Sequence, residues 1–272
     1  MMQIGAMNHP QREVLEEIEW MAQLGLDFID LTLEPPTAAS WRVDPEKIRQ
    51  ALQQHHMGVV GHTAYYLPIA SPFEEVRRAA VAELKRCLEV FAHVGAKWMN
   101  LHPDRYAPMH KRTFFIERDL TSIHELLDFA RQVGVGLMIE NLPGDFNTVE
   151  QLAELLEPLP ELGLHLDIGH SNLLVPANTA DEIIRVFSKR LMHVHLHDNN
   201  GGGADLHLPL GTGTMDVARH VRTLKASGYD STITLEVFSQ DRRYLAYSRD
   251  TLLRLWDMQT VSLPHPAHPS AP

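Results

Sequence analysis

Residues able to hold a metal ion recur at the ends of short apolar runs: Glu34, His62, His102, Glu140, Asp167, His195 and Glu236. The steps from 62 to 102, 140, 167, 195 and 236 are 40, 38, 27, 28 and 41 residues, each about one strand, loop and helix. Two local motifs extend the set. In Asp167-Ile168-Gly169-His170 a carboxylate ending a strand is followed by an imidazole in the next loop. In Asp205-Leu206-His207 the outer residues share one side of an extended segment and could grip one ion together. Carboxylate and imidazole suit zinc, manganese, iron or cobalt, and the lack of thiolates excludes a sulfur-rich structural zinc site. Singly, each residue is more readily a cap or a hydrogen-bonded core group. Gathered at one mouth, so many carboxylates and imidazoles would be costly to bury without cations.

The chain holds 17 histidines. His193, His195 and His197 alternate and so share one face of a strand; His195 is expected to be the ligand, His193 a satisfied core histidine and His197 a pocket wall. Tyr65, Tyr66 and Leu67 follow His62 and could wall a substrate. Gly211-Thr212-Gly213 lacks the context of a nucleotide fingerprint and reads as a turn.

Positioning such a set requires strands whose ends converge. Strand-like runs are predicted at 3–7, 28–33, 58–62, 98–102, 136–140, 163–167, 191–196 and 232–236, alternating with amphipathic helical stretches. Helix starts are expected at Asp44-Pro45, at a capping box of Ser71, Pro72 and Glu74, and at Asn147 or Thr148. Gly25, Gly58, Gly95, Gly134 and Gly228 are expected to close helices in the left-handed conformation. The repeat predicts an α/β fold, a single (β/α)8 TIM barrel over 1–258, whose carboxyl-end face carries the site. Residues 259–272, with His265 and His268, read as a proline-rich disordered tail.

Of the 272 residues, 24 are lysine or arginine and 35 are aspartate or glutamate, a net charge of −11, which disfavours generic nucleic-acid binding. Nothing in the sequence is long and apolar enough to span a membrane, and the N-terminus does not read as a signal peptide. The lone Cys87 cannot form an internal disulfide, so a cytoplasmic location is expected.

These motifs together resemble the superfamily of xylose isomerase-like barrels that includes endonuclease IV and the sugar phosphate isomerases and epimerases. The resemblance spans nearly the whole chain before the tail. It is carried by His62 with Tyr65, Asn100-Leu101-His102-Pro103, Ile139-Glu140-Asn141 with Gly144, and Leu166-Asp167-Ile168-Gly169-His170. His195-Leu196-His197-Asp198, Asp205-Leu206-His207 with Gly211 and Gly213, and Leu235-Glu236 complete it.

The endonuclease IV branch implies up to three zinc ions. His62, His102 and Glu140 would hold the first; Glu140, Asp167, His195 and Glu236 the second; His170, Asp205 and His207 the third. Such a cluster activates a bridging water and neutralises a phosphate in attack. The first strand reads Gly5-Ala6-Met7-Asn8, the second ends Leu31-Thr32-Leu33-Glu34, and Asp198-Asn199-Asn200 stands where a lysine-bearing segment is expected. These departures argue against abasic-site DNA cleavage and for a small phosphorylated substrate. The isomerase and epimerase branch implies one ion, Mn2+, Mg2+ or Co2+, held at Glu140, Asp167, His195 and Glu236. There Glu140 and Glu236 would be the catalytic pair beside a polarising cation that stabilises an enediolate. Glu34, Tyr65 and His197 are the expected substrate contacts. The extra positions His170, Asp205 and His207 favour a phosphoester hydrolase, with a sugar or sugar-phosphate isomerase or epimerase as the alternative. A non-catalytic barrel that holds a sugar phosphate is a third reading.

Overall fold

The computed structural model describes residues 2–258 apart from 106 and 108. The expected tail at 259–272, with His265 and His268, lies outside the described residues. Strand and helix alternate as β1 (Gln3–Met7), α1 (Val14–Gln23), β2 (Phe28–Leu33), α2 (Pro45–His55), β3 (Gly58–Thr63), α3 (Glu74–Val94), β4 (Trp98–Leu101) and α4 (Arg112–Val133). The second half runs β5 (Gly136–Glu140), α5 (Val149–Leu156), β6 (Gly163–Asp167), α6 (Ala180–Phe187), β7 (Leu191–Leu196), α7 (Val217–Ala226), β8 (Thr232–Leu235) and α8 (Arg243–Met258). All neighbouring strands are parallel and β8 returns to β1, which closes the barrel. No helix among the described residues is long and apolar enough to cross a membrane.

Two apolar layers follow from strand alternation. Outward residues such as Ile29, Leu31, Ile139, Leu166, Val194 and Ile233 pack with the helices in one large core. Inward residues Phe28, Val60 and Met138, with Trp98 and Met192 against them, form a separate plug near the amino ends of the strands. Glycine makes room for that plug: a Cβ on Gly5 would lie 2.6 Å from the Phe28 ring, and one on Gly136 would lie 2.4 Å from the Trp98 ring. Above the plug polar residues fill the interior, among them Asp30, His62, Asn100, Glu140, His165 and His195.

Asp44 caps α2 by accepting from the Lys47 amide, and Thr148 with Gln151 forms a reciprocal capping box on α5. The capping box expected at Ser71 is absent. The Ser71 hydroxyl instead accepts from the Phe73 amide, and α3 starts at Glu74, whose carboxylate is taken up by Arg77, Arg78 and Arg118. Gly25, Gly95, Gly134 and Gly228 have positive φ as expected, but Gly58 does not; His56 (φ 54°) closes α2 in its place and leaves Gly58 to begin β3.

Candidate metal centre

The polar interior rises in tiers from the plug. Asp30 on β2, His165 on β6 and His193 and His195 on β7 are buried within the barrel. Glu140, Asp167, His197 and Glu236 stand at or just past the ends of β5 to β8 and are buried too. Three asparagines extend the strand ladder where it stops. Asn8 pairs with both backbone groups of Thr32, Asn100 accepts from the Thr63 amide, and Asn141 accepts from the Asp167 amide. Each clip fixes a strand end that carries or adjoins a candidate ligand.

Glu140 is the hub. Its Oε2 lies 2.8 Å from His102 Nε2, 3.2 Å from His165 Nδ1 and 3.7 Å from His62 Nε2, and it accepts from Asn100 Nδ2 at 2.9 Å. Its Oε1 is 3.4 Å from His170 Nδ1. Glu236 Oε2 faces His195 Nδ1 at 3.0 Å, while His195 Nε2 is 2.6 Å from Asp30 Oδ2. Asp167 Oδ1 accepts from the His170 amide and lies 3.4 Å from His197 Nε2; Asp167 Oδ2 is buried with no hydrogen-bond partner. Farther out, Asp205 Oδ2 lies 3.2 Å from His170 Nε2 and 3.0 Å from His207 Nε2.

The electrostatics are those of a surplus of carboxylate. Burial would raise the carboxyl groups, yet His165 and His102 hold Glu140, and His170 and His197 hold Asp167, well below the usual carboxylate range. Burial likewise opposes protonation of His170, His195 and His197. Asp167 and Asp205 nevertheless raise His170, Glu236 and Asp30 raise His195, and Asp167 lifts His197 to about 9. His165 is pushed down to about 3 by burial, with His195 and His193 adding to it, although Glu140 lies beside it and opposes the shift. Protons on imidazoles thus balance the carboxylates, and a cation could take their place.

Each of the expected ligand positions reaches this region, but the grouping differs from the one expected. Donor atoms lie close enough for one ion in His62, Glu140 and His195; in Glu140, Asp167 and His170; in Asp167, His197 and Glu236; and in His170, His197, Asp205 and His207. His197 therefore lies among the donor atoms as well as in the pocket wall. His193 is satisfied by Thr232, Thr234 and Asp30, as a core histidine should be. Glu34 is engaged by the Tyr66 hydroxyl at 2.7 Å, and the exposed Tyr65 ring sits edge-on to Tyr66 and to His102. Asp198, which follows His197, accepts from the amides of Asn199, Gly211, Gly213 and Met215, so the glycine pair is a folded turn around a carboxylate. Sequence reading passed over Asp30 and His165, and quoted Asn100 and Asn141 within motifs without giving them a role. The available signal was a polar residue an even number of positions before a recognised one, as His165 stands to Asp167 and Asp30 to Glu34.

The model of the family described as xylose isomerase-like TIM barrel matches residues 18–255. An uncharacterised protein of Methanocaldococcus jannaschii is 27% identical over 209 residues, 71% of this chain and 70% of that protein. The ketose 3-epimerase of Arthrobacter globiformis is 24% identical over 86% of this chain and 80% of its own length. The solved structure of a D-tagatose 3-epimerase-like protein superimposes with a TM-score of 0.84 at 22% identity, covering 94% of this chain and 98% of that one.

Proposed function

The chain belongs to the xylose isomerase-like TIM barrel family, and from that footing we propose that it is a divalent-metal-dependent isomerase or epimerase of a small sugar. The observation that carries the reading is the placement of two buried carboxylates, Glu140 and Glu236, at the two ends of an arc of four consecutive strands, with Asp167 and His195 between them. The ketose 3-epimerase relative supports the same branch. The donor set fits a cation: oxygen and imidazole nitrogen suit manganese, magnesium, cobalt or zinc, and the buried Asp167 Oδ2 accepts no hydrogen bond, with only His170 Nδ1 near it at 3.4 Å. Glu140, Asp167, His195 and Glu236 would hold the ion.

When bound, the ion polarises the oxygens of a sugar carbonyl and its neighbouring hydroxyl. Glu140, kept ionised by its imidazoles, is fit to take a proton from the carbon beside the carbonyl. Glu236, at the other end of the arc, would hold or return the proton. Tyr65 and Tyr66 offer ring faces to the apolar side of a sugar.

A neutral sugar suits the mouth better than the sugar phosphate expected from sequence. The arginines around it are already paired: Arg12 and Arg242 with Glu17, Arg42 with Glu13, Arg105 with Asp145 and Arg243 with Asp241.

The cluster of His170, His197, Asp205 and His207 keeps a second reading, a multinuclear site of up to three zinc ions that hydrolyses a phosphoester. Elemental mass spectrometry of untagged protein prepared without added metal separates the two. About one manganese, magnesium or cobalt ion per chain supports the isomerase or epimerase; close to three zinc ions supports the hydrolase.

A further inference from the structure

Beneath the proposed ligands lies a carboxylate that proton transfer does not use. Asp30 comes from β2, separated from β7 by β8 and β1 around the ring, and its side chain is fully buried. An ionised carboxylate in a barrel interior is costly unless it is paired and hydrogen-bonded. Here Oδ2 gathers three partners: His195 Nε2 at 2.6 Å, the Thr234 hydroxyl at 2.9 Å and His193 Nε2 at 3.3 Å. The three contacts fix the carboxylate in one orientation.

The consequence falls on His195. An imidazole that ligates through one nitrogen must carry its proton on the other, and that proton needs an acceptor. With Asp30 accepting from Nε2, the lone pair is left on Nδ1, which points to Glu236 Oε2 at 3.0 Å. The negative charge behind the ring also makes Nδ1 a better donor to a cation. Without Asp30 the ring is free to carry its proton on Nδ1, facing Glu236, and then offers no lone pair there. A charged residue in the middle of the otherwise apolar Phe28-Ile29-Asp30-Leu31 run thus gains a reason to exist.

We propose that Asp30 is a positioning residue that accepts the Nε2 proton of His195 and so presents Nδ1 as the metal-binding atom. The proposal rests on the metal-dependent reading above. The test uses the full chain stripped with a chelator and titrated with Co2+, comparing wild type with Asp30→Asn, which keeps the shape of the side chain, and Asp30→Ala. Thr234→Val serves as the control, since it removes a neighbour of the same carboxylate without touching the His195 proton. Circular dichroism establishes that each variant is folded. Nitrogen-15 NMR of the histidine rings in Zn2+-loaded protein then reads the tautomer directly.

Both Asp30 variants should bind Co2+ about 10- to 100-fold more weakly, while Thr234→Val stays within about threefold. Zn2+-loaded wild type should show His195 protonated at Nε2 and ligated at Nδ1, and this pattern should be lost or mixed in Asp30→Asn. Wild-type affinity and an unchanged tautomer in both Asp30 variants would overturn the positioning role alone. A wild-type chain that takes up no Co2+ would overturn the metal-dependent reading and this role together.

Discussion

Adding one methyl group at Gly169 probes the geometry of the site without altering any ligand. Gly169 has φ −67° and ψ −48°, so alanine meets no backbone strain there. The whole effect is steric: a Cβ would lie 2.1 Å from His197 Nε2, 2.2 Å from Cε1 and 2.5 Å from Cδ2. Since non-bonded atoms settle near about 3.5 Å, the imidazole must retreat by roughly 1 Å or more. It has little room, because the ring is fully buried, lies tilted against His207 at 4.2 Å and is held at Nδ1 by the Asp198 carbonyl. Overpacking of this kind costs about 1–3 kcal/mol, and in a chain of this size each kcal/mol lowers Tm by roughly 2–4 °C. Gly169→Ala should therefore melt about 2–12 °C below wild type by calorimetry. It should also lose part of the stabilisation that added Mn2+ gives wild type, because His197 leaves its place beside Asp167. Equal Tm values and equal Mn2+-induced shifts would refute the packing of His197 over Gly169 and the site geometry built on it.

Glu140→Gln should lower turnover by at least about 100-fold and weaken metal binding, since it removes both a general base and an anionic donor; steady-state kinetics and ion titration read the two effects. Asp205→Ala and His207→Ala should retain the tightly bound ion by elemental analysis if one ion serves an epimerase, and loss of that ion would move the assignment to the outer cluster. In metal-free protein His197 is raised to about 9 from an unfolded value near 6.5, so its stabilising contribution, on the order of 3 kcal/mol, is fully present below about pH 6.5 and is lost as pH rises through about 9. Urea unfolding of chelator-treated protein at pH 6.5 and pH 9.5 should show that loss, and the His197→Gln variant should show a smaller one, since His170 and His195 are raised as well. Asp198→Ala should unlatch the turn at Gly211 and Gly213 by leaving the amides it holds without an acceptor, a loss of about 1–3 kcal/mol measurable in the same experiment.

The barrel was legible because a parallel strand buried on both faces writes a short apolar run, and the eight runs match the observed strands to within a residue at their ends. The capping box at Ser71 misled because Glu74 has arginines at 77, 78 and 118 to pair with, and the arginine from α4 cannot be foreseen from local sequence. In the site, residues at strand ends could be placed on one face from spacing alone. Which imidazole meets which carboxylate could not, since His195, His197 and His170 differ only by their depth and by contacts across the barrel. Asp30 illustrates the limit: its partners His193 and His195 lie more than 160 residues away in sequence and meet it only once the barrel has closed. The preference for a hydrolase over an epimerase rests, in the sequence, on counting ligand types; the similarity to a ketose 3-epimerase and the paired arginines turn the proposal toward sugar chemistry.

The central claim is that Glu140 and Glu236 move a proton at the carbon beside a sugar carbonyl. Its most direct test is incubation of Mg2+-loaded protein with a panel of free ketopentoses and ketohexoses in D2O, followed by mass spectrometry and proton NMR of the recovered sugars. One deuterium should appear at the carbon next to the carbonyl in at least one sugar, and Glu140→Gln and Glu236→Gln should each abolish its appearance. Sugars that keep every carbon-bound hydrogen, alongside phosphate release from phosphoesters by the same preparation, would contradict the account.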